Sequence, residues 1–126
     1  MKYLCLVFVD ESKLRALSPA ESQTLDDDSL AYDRTLRDHG HLLAAQALGP
    51  VSAGAVVRIR NNEVVVTDGP FAETHEQVGG FILIDARDLN EAIRLASRIP
   101  VIRMGAIEVR PIKELTSSAS KTEDSE

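Results

Sequence analysis

Two segments of this chain are apolar on both faces of the strands that they would form. Residues 3–9 and 81–84 contain no charged side chain, and successive side chains of a strand point to opposite sides of its sheet. A sheet with one solvated face would show a polar residue at every second position. Both segments therefore predict strands whose two faces are each packed against another part of the structure.

Two helices are indicated by their end signals. Ser18 can cap a helix that Pro19 begins, Glu21 can complete a capping box, and Gly40 provides a stop after about Asp38.

The second helix is predicted to begin at Asp88 and to end before Pro100. Its apolar positions recur at helical spacing and predict a buried face made of Leu89, Ala92, Ile93, Ala96 and Ile99.

The remaining segments read as strands. A moderately apolar strand is expected over 41–48, and Asn61-Asn62 is typical of the turn of a β-hairpin between 56–60 and 64–66. Alternation over 107–112, together with Pro111, predicts a last strand at the edge of the sheet.

The order of these elements predicts an α+β fold, a ferredoxin-like split βαβ arrangement with an inserted β-hairpin. In that arrangement the first and third main strands are central, which fits the two segments that are apolar on both faces. Two helices can cover only one face of the sheet. We therefore expect a homodimer that packs sheet to sheet, with the domain over 1–115 and a disordered polar tail over 116–126.

Composition narrows the classes of function. The net charge of -6 argues against a general affinity for nucleic acid. Cys5 is the single cysteine, so no internal disulfide is expected, and no metal-ligand set or cofactor motif is visible. The first apolar run is too short for a membrane span or a signal peptide core. These features predict a cytoplasmic protein without a cofactor or a membrane contact.

The segment from Asp68 to Glu76 concentrates the residues that could carry chemistry. Asp68 and His75 could form an acid–base pair if burial tunes their pKa values. The structural alternative is a turn made by Asp-Gly and fixed by proline, with Phe71 anchored in a core and His75 solvated. Elsewhere, His39 and His41 fit a helix C-terminus, and the strand arginines Arg58, Arg60 and Arg110 could meet an anionic ligand.

At this segment the sequence resembles the DGPF branch of the YCII-related proteins, over roughly residues 1–112. The resemblance rests on Thr67, on Asp68-Gly69-Pro70-Phe71-Ala72-Glu73-Thr74, on Glu76-Gln77 and on Gly79-Gly80. It implies a dimeric α/β-barrel of ferredoxin-like subunits with a cleft near the dimer interface. Some relatives occur beside or fused to extracytoplasmic-function sigma factors, and one member of the wider family is a dehydrochlorinase acting on a chlorinated hydroxyquinol.

Two positions depart from the family pattern. His75 stands where many relatives carry lysine, and the histidine that some members of the wider group have on the first helix has no counterpart here. The corresponding position lies near Ser29 or Leu30. No catalytic histidine is therefore carried over to this chain from the resemblance.

Three functions are kept open. The first is a small-molecule-binding or regulatory module whose cleft is lined by Gly69, Pro70, Phe71, Glu73, Glu76 and Arg110. The second is a cofactor-free enzyme of the lyase or isomerase type, with Asp68 as the base and His75 as its acid–base partner. The third is an interaction partner of a sigma factor.

Overall fold

The computed structural model describes residues 1–118, so the predicted tail lies outside the described residues from 119 onward. The strands and helices follow in the order β1 (Lys2–Val9), α1 (Glu11–Arg15), α2 (Pro19–Asp38), β2 (Leu42–Ala47), β3 (Ala55–Arg60), β4 (Glu63–Asp68), β5 (Gln77–Asp85), α3 (Leu89–Ala96) and β6 (Gly105–Pro111). Two 3-10 turns lie at Val51–Ala53 and Pro100–Met104.

The main sheet has four antiparallel strands in the order β2-β5-β1-β6. The strands β1 and β5 are central and β6 is at an edge, as predicted. This is the ferredoxin-like order. The strands β3 and β4 form a separate two-stranded sheet, whose turn places both Asn61 and Asn62 in the left-handed region, at φ 53° and 63°.

The helix α2 has the predicted ends. The Ser18 hydroxyl accepts a hydrogen bond from the Glu21 backbone N–H at 3.1 Å, and a Glu21 carboxylate oxygen accepts one from the Ser18 N–H at 2.9 Å. Gly40, at φ +78°, ends the helix in a conformation that favours glycine. The helix continues without a break through the three aspartates at 26–28.

Replacing Ser18 by alanine should lower the free energy of unfolding by about 1 kcal/mol, because it removes an N-cap that satisfies a helical N–H. Ser22→Ala on the same helix is the control, since the Ser22 side chain makes no hydrogen bond within residues 1–118. Urea unfolding of both variants measures the difference. Equal losses would show that the cap does not contribute.

The core lies between the sheet and the helices α2 and α3. Its buried side chains come from alternate positions of the central strands, from both helices and from the segments that follow β5 and α3: Tyr3, Cys5, Leu36, Ile82, Ile84, Ala86, Ala92, Ala96 and Ile99. Burial raises the pKa of the Cys5 thiol to about 11, so the thiolate that reacts in cysteine chemistry is disfavoured.

Several local features differ from the sequence predictions. The strand β5 begins at Gln77, before the glycine pair that was expected to precede it. A Cβ on Gly79 would lie 2.6 Å from the Val9 Cγ2, and one on Gly80 would lie 2.8 Å from the Gln46 carbonyl oxygen. These glycines therefore permit close packing inside the sheet.

The helix α3 is shorter than predicted and exposes part of its expected buried face. It ends at Ala96, and Leu89 and Ile93 are exposed, whereas Ala92 and Ala96 are buried. The helix meets the core through Ala92 and Ala96 together with the half-buried Leu95, and this orientation leaves Leu89 and Ile93 exposed.

The sheet has a second face that the helices do not cover. We call it the open face and define it by Leu4, Leu6 and Phe8 of β1 with Phe81 and Leu83 of β5, all half-buried. Buried and half-buried positions alternate along both strands. The half-buried side chains of the open face therefore lie outside the core, and packing in the core does not explain why they are apolar.

We call the hairpin formed by β3 and β4 the arm. No other strand or helix among the described residues packs extensively against it. Among residues 1–118, no helix combines the length and the apolar character needed to cross a membrane.

Candidate functional site

The loop over residues 68–76 lies at the base of the arm. Asp68 ends β4 opposite Ala55, and the Gly69 N–H donates to the Gly54 carbonyl at 3.2 Å. The Gly69-Pro70 peptide bond is cis. A Cβ on Gly69 would lie 2.8 Å from the Val51 carbonyl oxygen, so this position needs glycine for the turn to close on its neighbour.

Gln77 holds the second half of the 68–76 loop. Its side-chain amide donates to the carbonyls of Ala72 at 2.8 Å and Thr74 at 3.1 Å. The Thr74 hydroxyl in turn donates to the Glu76 carbonyl. This role of Gln77 could not be predicted from the sequence, because nothing in its neighbours along the chain indicates which backbone groups it would reach.

Phe71 lies at the surface of the loop, and its side chain is 76% exposed. The expectation that it anchors the loop in a core is therefore wrong for the described chain. The Arg58 guanidinium carbon lies 5.0 Å from the centre of its ring, within the range of a cation–π contact. Of the three strand arginines, Arg58 is the one that the fold brings to this loop.

Asp68 and His75 are both exposed, and no hydrogen bond joins them within residues 1–118. Glu73 and Glu76 are exposed as well, so the loop presents several carboxylates to solvent. Gly69 and Pro70 are half-buried. The arrangement can offer hydrogen-bond acceptors, one cation and one aromatic face to a ligand.

Arg110 lies apart from the 68–76 loop in a single copy. It pairs with Leu4 on β1, whereas Gln77, at the end of the loop, pairs with Val9. Five residues of extended strand separate those positions, about 16 Å. Arg110 is on the same side of the sheet as the open face, because its partner Leu4 is.

Two cavities lie elsewhere in the described chain. One of about 430 Å³ is lined by α2 and the second 3-10 turn, with Tyr32 and Arg103 among its residues, and one of about 350 Å³ lies beside α3 and β6. Neither includes a residue of the 68–76 loop, so the predicted cleft at this loop stays a prediction.

The helix-end histidines contact the backbone. The His39 Nδ1 lies 2.8 Å from the Thr35 carbonyl oxygen, and the His41 Nδ1 lies 2.8 Å from that of Asp85. Within residues 1–118, no cluster of His, Cys, Asp and Glu side chains has the arrangement of a metal site.

The family model of the YCII-related domain matches residues 1–116. This chain belongs to the YCII-related family. An uncharacterised protein of Rhizobium meliloti (strain 1021) is 39% identical to it over 114 residues, which cover 89% of this chain and 92% of that protein.

A solved structure of similar fold is that of 5-chloro-2-hydroxyhydroquinone dehydrochlorinase from Burkholderia phenoliruptrix AC1100, in complex with 2,5-dihydroxybenzoquinone. The TM-score is 0.52, the match covers 91% of this YCII-related chain and 96% of the dehydrochlorinase, and the sequences are 14% identical. At that identity the likeness concerns the fold.

Proposed function

We propose that this protein is a cytoplasmic, homodimeric small-molecule-binding module of the DGPF branch, which needs no cofactor and binds its ligand at the 68–76 loop. The observation that carries the proposal is the exposed Phe71 ring held beside the Arg58 guanidinium. A large exposed aromatic side chain on a braced loop is a favourable contact surface for a ligand.

The loop is ordered before any ligand arrives. Gly69 is bonded to Gly54, and the Gln77 amide ties two carbonyls of the loop together. A surface fixed in this way loses little conformational entropy when it binds. This supports a binding role for the loop.

The chemistry of the loop favours a planar, oxygenated ring as the ligand. The Phe71 face can stack on such a ring, and Arg58 can pair with an anionic oxygen. The compound 2,5-dihydroxybenzoquinone, which is bound to the dehydrochlorinase of similar fold, belongs to this class and serves as the probe.

The homodimer is supported by the open face. Apolar side chains of both central strands, such as Leu6 and Phe81, lie on the side of the sheet opposite the helices. A second copy that packs there would complete the dimeric α/β-barrel and bring Arg110 of the sheet into the interface.

Isothermal titration with 2,5-dihydroxybenzoquinone tests the ligand proposal. We expect saturable binding to the native protein, weakened about tenfold by Phe71→Ala and about tenfold by Arg58→Gln, because each removes one side of the stacked pair. Arg34→Gln is the charge-matched control, since Arg34 is exposed on α2 and makes no ion pair within residues 1–118.

The proposed ring-binding site is rejected if no heat is measured at millimolar probe, or if Arg34→Gln weakens binding as much as Arg58→Gln does. A thermal shift gives a second readout, because a ligand at 100 times its dissociation constant stabilises the folded state by about 2.7 kcal/mol.

An enzyme of the lyase or isomerase type is the second candidate. It is supported by the dehydrochlorinase, which has a similar fold and is an enzyme. Asp68 would act as the base and His75 as its partner, although both are exposed in a single copy. If this candidate is right, Asp68→Asn should abolish turnover of a chlorinated hydroxyquinol while ring binding persists. If the native protein binds the ring but does not turn over the chlorinated hydroxyquinol, the enzyme candidate is rejected and the binding module is retained.

The sigma-factor interaction rests on the family resemblance alone. Its test is co-purification with a sigma factor encoded beside this protein.

A further inference from the structure

Among the described residues, the arm has the most exposed group of apolar side chains that share one face. Cross-strand pairing sets Val57 beside Val66 and Ile59 beside Val64. Their exposed fractions lie between 62% and 73%, higher than those of the half-buried side chains of the open face. We call these four side chains the apolar face of the arm.

The two strands of the arm are not sufficient by themselves to stabilise it. An isolated two-stranded hairpin is marginally stable in water, and a covered apolar face is what stabilises it. The opposite face is partly covered, because Val65 and Arg58 are half-buried and Phe71 lies over Arg58. The apolar face has no such cover within residues 1–118.

From this surface we infer that the apolar face of the arm docks on a second copy of the chain, so that each arm of the dimer closes over its partner beside the 68–76 loop. The inference rests on the proposed homodimer and adds a second contact to it.

The area required by a stable dimer favours a second copy as the occupant. Four aliphatic side chains of this exposure offer on the order of 300 Å², whereas a standard interface buries about 800 Å² on each partner. The arm alone is too small for such an interface, and the half-buried side chains of the open face are also too small alone. On each partner, the arm and the open face together come closer to the requirement than either surface does alone.

The arm is also long enough to extend onto a second copy of the chain. Each of its strands has six residues, which corresponds to about 20 Å of extended chain. It leaves the main sheet between β2 and β5, at the end where the 68–76 loop begins.

Docking of the arm would also bring the partner close to Asp68. Side chains alternate along β4, so Asp68 lies on the same face as Val64 and Val66. A partner that covers the apolar face therefore also approaches Asp68. Arg58, with the Phe71 ring beside it, lies on the opposite face, so the docked partner and the proposed ring ligand occupy different faces of the arm.

The test compares two arm variants by sedimentation equilibrium of the full chain. Ile59→Thr with Val64→Thr removes one apolar pair while keeping β-branched residues, and it should raise the dimer dissociation constant about 100-fold, since each change occurs twice in the dimer. Arg60→Gln with Glu63→Gln changes a neighbouring pair on the other face and should change the constant less than about threefold.

Hydrogen exchange of the native protein gives the second readout. Amides of β3 and β4 should be protected at concentrations where the dimer forms and should lose that protection on dilution. A dimer whose arm amides exchange as fast as in the monomer, or an unchanged dissociation constant in the threonine variant, would overturn the docked arm and leave the sheet-to-sheet dimer standing.

Protection that does not depend on concentration would show that the arm folds back on its own chain, and it would also overturn the inference. A native protein that stays a single copy throughout would overturn both the docked arm and the homodimer.

Discussion

Ile84→Ala is expected to lower the free energy of unfolding by about 2–5 kcal/mol. Ile84 lies on the central strand β5, is 1% exposed, and belongs to the cluster between the sheet and the helices. Removing its branched side chain loses burial and leaves a cavity that the surrounding strands cannot fully close. Urea unfolding at a fixed protein concentration measures the loss.

Ile93→Ala is the matched control for this substitution. It removes the same atoms from α3, where the side chain is 49% exposed, and it should cost less than half as much. Similar losses for both isoleucines would contradict the assignment of the core to the helix side of β5.

Leu6→Asp is expected to raise the dissociation constant of the proposed dimer by about 1,000-fold or more, because it would place a carboxylate from each copy in the proposed dry interface. Leu6 is at the centre of the open face, with Phe81 beside it on β5 and Glu108 beside it on β6. In the single copy this position is reached by water, so the variant should keep its fold. Sedimentation velocity reports the change in mass, and circular dichroism reports the fold.

Leu30→Asp controls for the added charge. Leu30 is exposed on α2, away from the open face, and its replacement should leave the dimer intact. A Leu6→Asp variant that remains dimeric at low micromolar concentration would show that copies associate through another surface.

The architecture could be predicted because its signals are local. Strands that are apolar on both faces identified the two central positions of the sheet, and side-chain caps identified where α2 and α3 begin. The two asparagines located the arm, because few residues tolerate the left-handed backbone that its turn requires.

The details that failed depend on contacts between distant parts of the chain. Glycines at 79 and 80 suggested a break, but the approach of Val9 and Gln46 makes them part of β5. Helical spacing made Leu89 and Ile93 equivalent to the buried alanines of α3, and only the angle at which the helix meets the sheet separates them.

The candidate loop was chosen from the sequence, whereas the contacts within it could not be predicted from the sequence. The turn chemistry at Asp68 and Gly69 is what drew attention to this loop, and its role as a site remains a prediction. The pairing of Phe71 with Arg58, which are 13 positions apart in sequence, follows from the register of the arm and could not be read from spacing. For the same reason, the register of β6 places Arg110 beside Leu4 and away from the loop.

The most direct test is the solution mass of the native 126-residue chain, measured by sedimentation equilibrium from about 100 μM down to about 0.1 μM. An interface of standard size and modest affinity dissociates within that range. The uncovered side of the central strands predicts twice the 13.7 kDa of one chain at the upper end of that range. A mass of 13.7 kDa at every concentration would contradict the account, because Leu6, Phe81 and their neighbours would then face water in the working protein.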